Sequence, residues 1–185
     1  MKKLRAFIFV FALLAWQGCA GTPRVPENNP LIPLGKANVQ AVFEENEGLE
    51  ILPEDAKELR DFYRGGVQQK AKAEKEFREK AYPEAMKLYR SSNEFFQTLT
   101  QYIDEDAAAY NLFEGTDILF FPNLLTADNH LKIGLICQKM GRDWRAKYNW
   151  KRALSLVKKS LSTERTEWGL ALEQELLSLL AAKQK

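Results

Sequence analysis

Residues 127–160, ADNHLKIGLICQKMGRDWRAKYNWKRALSLVKKS, carry the pattern that decides the fold of this 185-residue chain. Their apolar residues recur at the three- and four-residue spacing of α-helices. Gly141 interrupts the run near its middle, and glycine readily adopts the positive φ that tight turns after helices require. The stretch therefore predicts two helices joined by a short turn.

The same 34 residues resemble a tetratricopeptide repeat. The positions that carry the resemblance are Ile133-Gly134, Cys137, Gly141, Ala146, Trp150 and Ala153-Leu154. In such a repeat Gly134 and Ala146 are small where the helices cross closely, and Trp150 and Leu154 pack on the next unit. The chain departs from the family pattern at His130 and Asp143, which occupy aromatic positions, and at Lys158, where proline usually ends the repeat.

An earlier and weaker unit spans residues 66–99. Its matching positions are Ala73, Tyr82, Ala85, Tyr89 and Ser92, but its first helix lacks the Leu-Gly pair. Two units are too few for a stable stack, so further helices must complete the core. A terminal cap is predicted over Thr163–Ala182, where Trp168, Leu172 and Leu176 share one helix face. The predicted fold is all-α, a short stack of antiparallel helix pairs with a C-terminal capping helix.

The remaining helix boundaries depend on glycine and proline. Pro53-Glu54-Asp55 predicts a helix start, Gly65-Gly66 is expected to weaken or end that helix, and Pro83 begins another. The segment 104–123 contains Ile118-Leu119-Phe120-Phe121, an apolar block compatible with a strand or a helix. We take it as helix because no neighbouring segment could pair with a strand.

An export signal precedes the domain. Lys2, Lys3 and Arg5 form a basic start, and Ala6–Trp16 is an apolar run of eleven residues. A membrane-spanning helix needs about 20 such residues, so a permanent transmembrane anchor is not expected. The signal peptide is predicted to comprise residues 1–18.

The end of this signal resembles the lipobox of bacterial lipoproteins, with Gly18 before Cys19. That resemblance implies diacylation of the Cys19 sulfur, which becomes the mature N-terminus. Trp16 and Gln17 depart from the usual residues of the motif. An alternative is ordinary signal peptidase cleavage at Gly18-Cys19-Ala20, which would release a soluble periplasmic protein.

Residues 19–34 contain four prolines and no apolar period, which predicts an extended tether between the lipid and a helical domain over residues 35–185. Because Ala20 follows the cysteine, the family's sorting rule implies the periplasmic face of the outer membrane. Cys19 and Cys137 are the two cysteines. With Cys19 lipidated, Cys137 is a lone thiol expected in the core.

Charge argues against a nucleic-acid partner. The chain has 27 basic and 25 acidic residues, and removing Lys2, Lys3 and Arg5 leaves 24 against 25. The mature net charge is therefore near −1, and no Lys/Arg stripe or aromatic-rich basic patch stands out in the sequence.

Candidates for catalysis or metal binding are weak. His130 is the sole histidine and has no Cys or His at ligand spacing, so we expect it to fill an aromatic slot of the repeat. The acidic clusters Glu44-Glu45 with Glu47 and Asp104-Glu105-Asp106 lack the spacing of a calcium loop. Trp144, Trp150 and Trp168 are expected in the core. We predict no enzyme activity, no cofactor and no metal.

Binding is therefore the expected role. Repeat stacks of this family receive peptides or partner helices on the concave surface formed by the first helix of each unit. The corresponding positions are Asp128, Leu131, Leu135 and Gln138, with Lys70, Glu74 and Phe77 in the earlier unit. Leu131 and Leu135 would favour an apolar or helical ligand, unless the preceding helices cover them as core.

The sequence predicts a lipid-anchored adaptor that binds a protein or peptide of the cell envelope. The alternative is a carrier lipoprotein associated with a solute transporter, which would need an enclosed pocket lined by the tryptophans. The small number of units favours the adaptor.

Replacing Cys19 with Ser tests the membrane attachment. We expect the variant to move from the membrane fraction to the soluble periplasm, because the acylated sulfur is lost. A variant that stays membrane-bound, or a mature protein that starts at Ala20 or Gly21 by mass spectrometry, would contradict the lipoprotein assignment.

Overall fold

The computed structural model describes residues 56–102 and 121–182, and each secondary-structure element in these ranges is an α-helix. The helices are α1 (Ala56–Arg78), α2 (Tyr82–Tyr102), α3 (Pro122–Lys139), α4 (Asp143–Thr163) and α5 (Glu167–Ala182). The all-α prediction is confirmed for these ranges. The predicted signal peptide 1–18, the tether 19–34, the helix start at Pro53-Glu54-Asp55 and the predicted helix over 104–120 lie outside the described residues.

The four longer helices form two antiparallel pairs with matching turns. Lys80 joins α1 to α2 with φ 62°, and Gly141 joins α3 to α4 with φ 71°. In each turn a backbone N–H donates to the carbonyl five residues earlier, Ala81 to Glu76 at 2.9 Å and Arg142 to Cys137 at 2.8 Å. Both turns therefore close their first helix with the same left-handed capping motif. The matching positions are 61 residues apart, since 80 pairs with 141 and 76 with 137.

Helix α1 continues through Gly65 and Gly66, so the expectation that these glycines end or weaken the helix is wrong. A Cβ atom at Gly65 would overlap the ring of Phe95, and one at Gly66 would overlap the ring of Phe96. The glycines let α1 approach α2 closely. The contact with the two rings compensates for their low helix propensity.

Helix α3 lies at the centre of the described fold. Helix α2 packs against it, α4 packs along it, and α5 packs mainly on α4. Thirteen of the eighteen residues of α3 are buried, so its apolar residues surround the helix and do not form a single stripe. Pro122, expected at the end of an apolar block, occupies the first turn of α3, where its missing N–H costs no helical hydrogen bond.

Several core predictions are confirmed. Cys137, Trp150 and Trp168 are buried, and the predicted apolar face of the last helix buries Leu172 and Leu176. Helix α5 begins at Glu167, a few residues after the predicted Thr163, because Glu164 is already extended. The hydroxyl of Thr166 accepts the backbone N–H of Gly169 at 2.9 Å and caps the start of α5.

Gly134 lies where α3 approaches α4 closely, because a Cβ atom there would overlap the indole of Trp150. Gly134→Ala should destabilise the fold by about 1–3 kcal/mol through overpacking, although alanine favours helix. Urea unfolding would measure the change.

A second-site variant supplies the control. In a Trp150→Leu background the same Gly134→Ala change should cost much less, because the overlapping ring is gone. Equal losses in both backgrounds would show that the two residues do not touch.

Candidate functional site

Lys70 is a buried charge at the junction of the two helix pairs. Its side chain is 1% exposed. Although Lys70 lies on α1, its ammonium group donates to two residues of α3, the Asp128 carboxylate and Asn129 Oδ1, the latter at 2.8 Å. Glu74 Oε1 lies 3.9 Å away. The ring of Tyr89 lies below the ammonium group, with its centroid at 5.6 Å. A charge removed from water in this way is tolerated because it is paired and hydrogen-bonded.

Asn129 carries the network from Lys70 into α2. Its amide nitrogen donates to Ser92 Oγ at 3.0 Å and to Asn93 Oδ1 at 2.8 Å. The hydroxyl of Ser92 in turn donates to the Gly66 carbonyl at 2.8 Å. Polar side chains of α1, α2 and α3 thus satisfy one another inside the core, which fixes how the helices fit together.

His130 extends the network to α4. Its Nδ1 lies 3.0 Å from Asn149 Oδ1, and its Nε2 lies 3.5 Å from Asn93 Nδ2. An amide oxygen on one side and an amide NH₂ on the other suit a neutral ring with the proton on Nδ1. Burial lowers the pKa of His130, the bond to Asn149 opposes that shift, and the charges of Arg152 and Arg90 lower the pKa further.

The predicted concave positions divide into three classes. Leu131 is buried with 1% exposure, and Lys70 is also buried, so neither can touch a partner in this conformation. The expected exposure of Leu131 is wrong, and the alternative interpretation, that preceding helices cover it as core, describes it better. Gln138 is exposed. The remaining four positions are half-buried: Asp128, Leu135, Glu74 and Phe77. A partner-binding role for the accessible positions stays a prediction.

The structure brings several of these positions together. Lys70, Asp128 and Glu74 form one charge cluster. The ring of Phe77 contacts the Tyr82 ring at a centroid distance of 6.1 Å. The Lys132 ammonium nitrogen lies over the Phe77 ring, 5.9 Å from its centroid. On the α1–α3 side these side chains therefore contact one another within the chain.

A cleft opens elsewhere, between α2 and α4 over α3, with a volume of about 420 Å³. Helix α2 contributes one face, which carries Arg90, Asn93, Glu94 and Gln97. Helix α4 contributes the other, and α3 supplies His130 and Cys137 between them. The lining residues on α4 are Trp144, Arg145, Tyr148, Asn149 and Arg152.

Two aromatic side chains stand at this cleft in contact with solvent. Trp144 is 76% exposed and Tyr148 is 53% exposed, and their rings stack at a centroid distance of 5.9 Å. The prediction that Trp144 belongs to the core is wrong. The helical period would have shown it, because Trp144 lies about 200° around the helix from Ala146, on the face opposite the buried stripe.

The cleft also belongs to a basic surface that the net charge conceals. Helix α4 carries six Lys and Arg residues against one acidic residue, Asp143. The expectation that the chain has no aromatic-rich basic patch is therefore wrong for α4. The net charge of the whole chain does not show this patch, because acidic residues in other segments offset the basic residues of α4.

Within the described ranges, no group of three His, Cys, Asp or Glu side chains is arranged to hold a metal ion. The acidic clusters at Glu44-Glu45 with Glu47 and at Asp104-Glu105-Asp106, like Cys19, lie outside the described residues. None of the five helices described combines the length and apolarity needed to cross a bilayer.

Comparison with protein-family models, with curated proteins and with solved structures finds no match to this chain. The functional assignment therefore depends on the residues and their geometry.

The Lys70 cluster predicts an asymmetry in stability. Asp128→Asn should cost about 3 kcal/mol or more, because it leaves a buried ammonium group without its nearest carboxylate. The matched control is Glu84→Gln, which removes an exposed partner of Lys87 at 3.6 Å. This control should cost less than about 1 kcal/mol. Denaturant unfolding of both variants measures the difference, and equal losses would mean that Lys70 is solvated.

Proposed function

We propose that the protein is a lipid-anchored adaptor on the periplasmic face of the outer membrane. In this proposal Cys19 holds the lipid, residues 19–34 span the gap from the membrane, and the helical domain binds another envelope protein. The order of basic start, apolar run, cysteine and proline-rich segment supports the anchor and tether.

We further propose that the helix pairs form a tetratricopeptide-like stack with α5 as its cap. Three observations support this arrangement. The turns at Lys80 and Gly141 are equivalent, and the small residues Ala73 and Gly134 occupy equivalent positions in α1 and α3. The last helix, α5, packs mainly against α4 and buries one face, as a terminal cap would.

The binding surface we propose is the cleft between α2 and α4. The observation that carries this choice is the exposed stack of Trp144 on Tyr148 beside arginine side chains. Trp, Tyr and Arg are enriched among the residues that dominate protein–protein binding. Stacking restricts the two side chains before binding, so they lose less conformational entropy when a partner covers them.

The chemistry of the cleft favours binding over catalysis. Both ring nitrogens of His130 lie against asparagine side chains. Burial raises the pKa of the Cys137 thiol, against the opposing charges of Arg90, Arg142 and Arg145, which disfavours the thiolate that a nucleophile needs.

The carrier alternative requires an enclosed pocket lined by tryptophans. Of the tryptophans in the described ranges, Trp150 and Trp168 are buried in the core and Trp144 faces solvent. This distribution supports the adaptor.

Site-specific photo-crosslinking in cells that make the protein natively tests the proposal. A photoreactive phenylalanine analogue at Tyr148 should crosslink to one discrete envelope protein, and Trp144→Ala in the same chain should abolish that product. The control places the analogue at Leu177, an exposed apolar position on α5. Identical products from both positions, or none from Tyr148, would contradict the proposed surface.

A further inference from the structure

Within the residues that the structure describes, none of the arginines that line the cleft forms a salt bridge. Lys70, in contrast, forms salt bridges with Glu74 and Asp128, and Lys87 forms one with Glu84. Three arginines line the cleft, Arg90, Arg145 and Arg152, and Glu94 is the one carboxylate that lines it. The guanidinium of Arg90 makes a weak contact with Met86 Sδ at 3.6 Å. The cleft therefore holds a local excess of positive charge.

The positive charge of these arginines affects the pKa values of two side chains between α2 and α4, His130 and Cys137. The charges of Arg152 and Arg90 add to burial in lowering the pKa of His130. Arg90 and Arg145 also oppose the effect of burial on the pKa of Cys137. His130 and Cys137 both lie on α3, at the floor of the cleft, so the positive potential of the arginines reaches that floor. An anionic ligand would be attracted there.

We infer that the cleft between α2 and α4 binds an acidic peptide segment of the partner, with its carboxylates on Arg90, Arg145 and Arg152 and an apolar side chain against Trp144 and Tyr148. This inference rests on the proposed adaptor function and names the chemistry of its ligand. Guanidinium groups bind carboxylates through paired N–H donors, which gives direction as well as attraction.

The shape of the cleft distinguishes a peptide from a bilayer. The arginines flank a concave space between two helices, whereas a flat lipid surface would contact residues on the outside of α4, such as Lys147 and Lys151. A volume of about 420 Å³ accommodates a few peptide side chains. The exposed amide of Gln97 on α2 could bond to a peptide backbone within the same space.

Fluorescence anisotropy with a labelled synthetic peptide that alternates glutamate and phenylalanine tests the inference, using the full chain with Cys19→Ser. The peptide should bind, and its glutamine counterpart should bind at least about tenfold more weakly because its charge-assisted bonds are lost. Arg145→Gln and Arg152→Gln should each weaken binding by roughly tenfold. The matched control Lys151→Gln, on the same helix, should change binding by less than about twofold. Circular dichroism verifies that each variant is folded.

Three results would overturn the inference: equal binding of the glutamate and glutamine peptides, equal effects of Arg152→Gln and Lys151→Gln, or binding to phosphatidylglycerol vesicles without binding to the acidic peptide. The test is separable from that of the adaptor function. A partner crosslinked at Tyr148 with no acidic-peptide binding leaves the adaptor standing and removes this inference. Peptide binding without a crosslinked partner removes the adaptor function and leaves only the affinity of the cleft for acidic peptides.

Discussion

The arrangement of the described helices depends on one buried ammonium group. Lys70 lies on α1 but bonds to Asp128 and Asn129 of α3, which belongs to the other helix pair. Apolar contacts tolerate small rotations of one helix pair against the other, whereas a buried charge does not, because losing its partners costs several kcal/mol. The cluster therefore selects one packing among the many that hydrophobic burial alone would allow.

The cleft is a consequence of that packing. Asn129 of α3 hydrogen-bonds to Ser92 and Asn93 on α2, and His130 of α3 hydrogen-bonds to Asn149 on α4. Both α2 and α4 are thus fixed against α3, and the space between them holds the arginines and the exposed aromatic pair. Asn93, His130 and Asn149 belong both to this hydrogen-bond network and to the lining of the cleft, so the polar core positions the proposed binding surface.

Sequence patterns predicted what depends on local spacing. The helices, the turn at Gly141 and the burial of Trp150 all follow from helical period and from glycine at a turn. Patterns did not predict the position of Lys70, because its partners lie 58 and 59 residues away and only the fold brings them together. Trp144 differs from the prediction for another reason. Its residue type is typical of the core, but the period of its helix places it opposite the buried Ala146.

The most direct test of this account is a nitrogen-15 NMR spectrum of the lysine ammonium groups at neutral pH. Solvated lysines exchange their ammonium protons too quickly to be seen, whereas a buried ammonium bonded to Asp128 and Asn129 should be protected. The account predicts a protected signal that disappears in Lys70→Met and persists in Lys87→Met. A spectrum in which Lys70 exchanges as fast as the exposed Lys87 would contradict it.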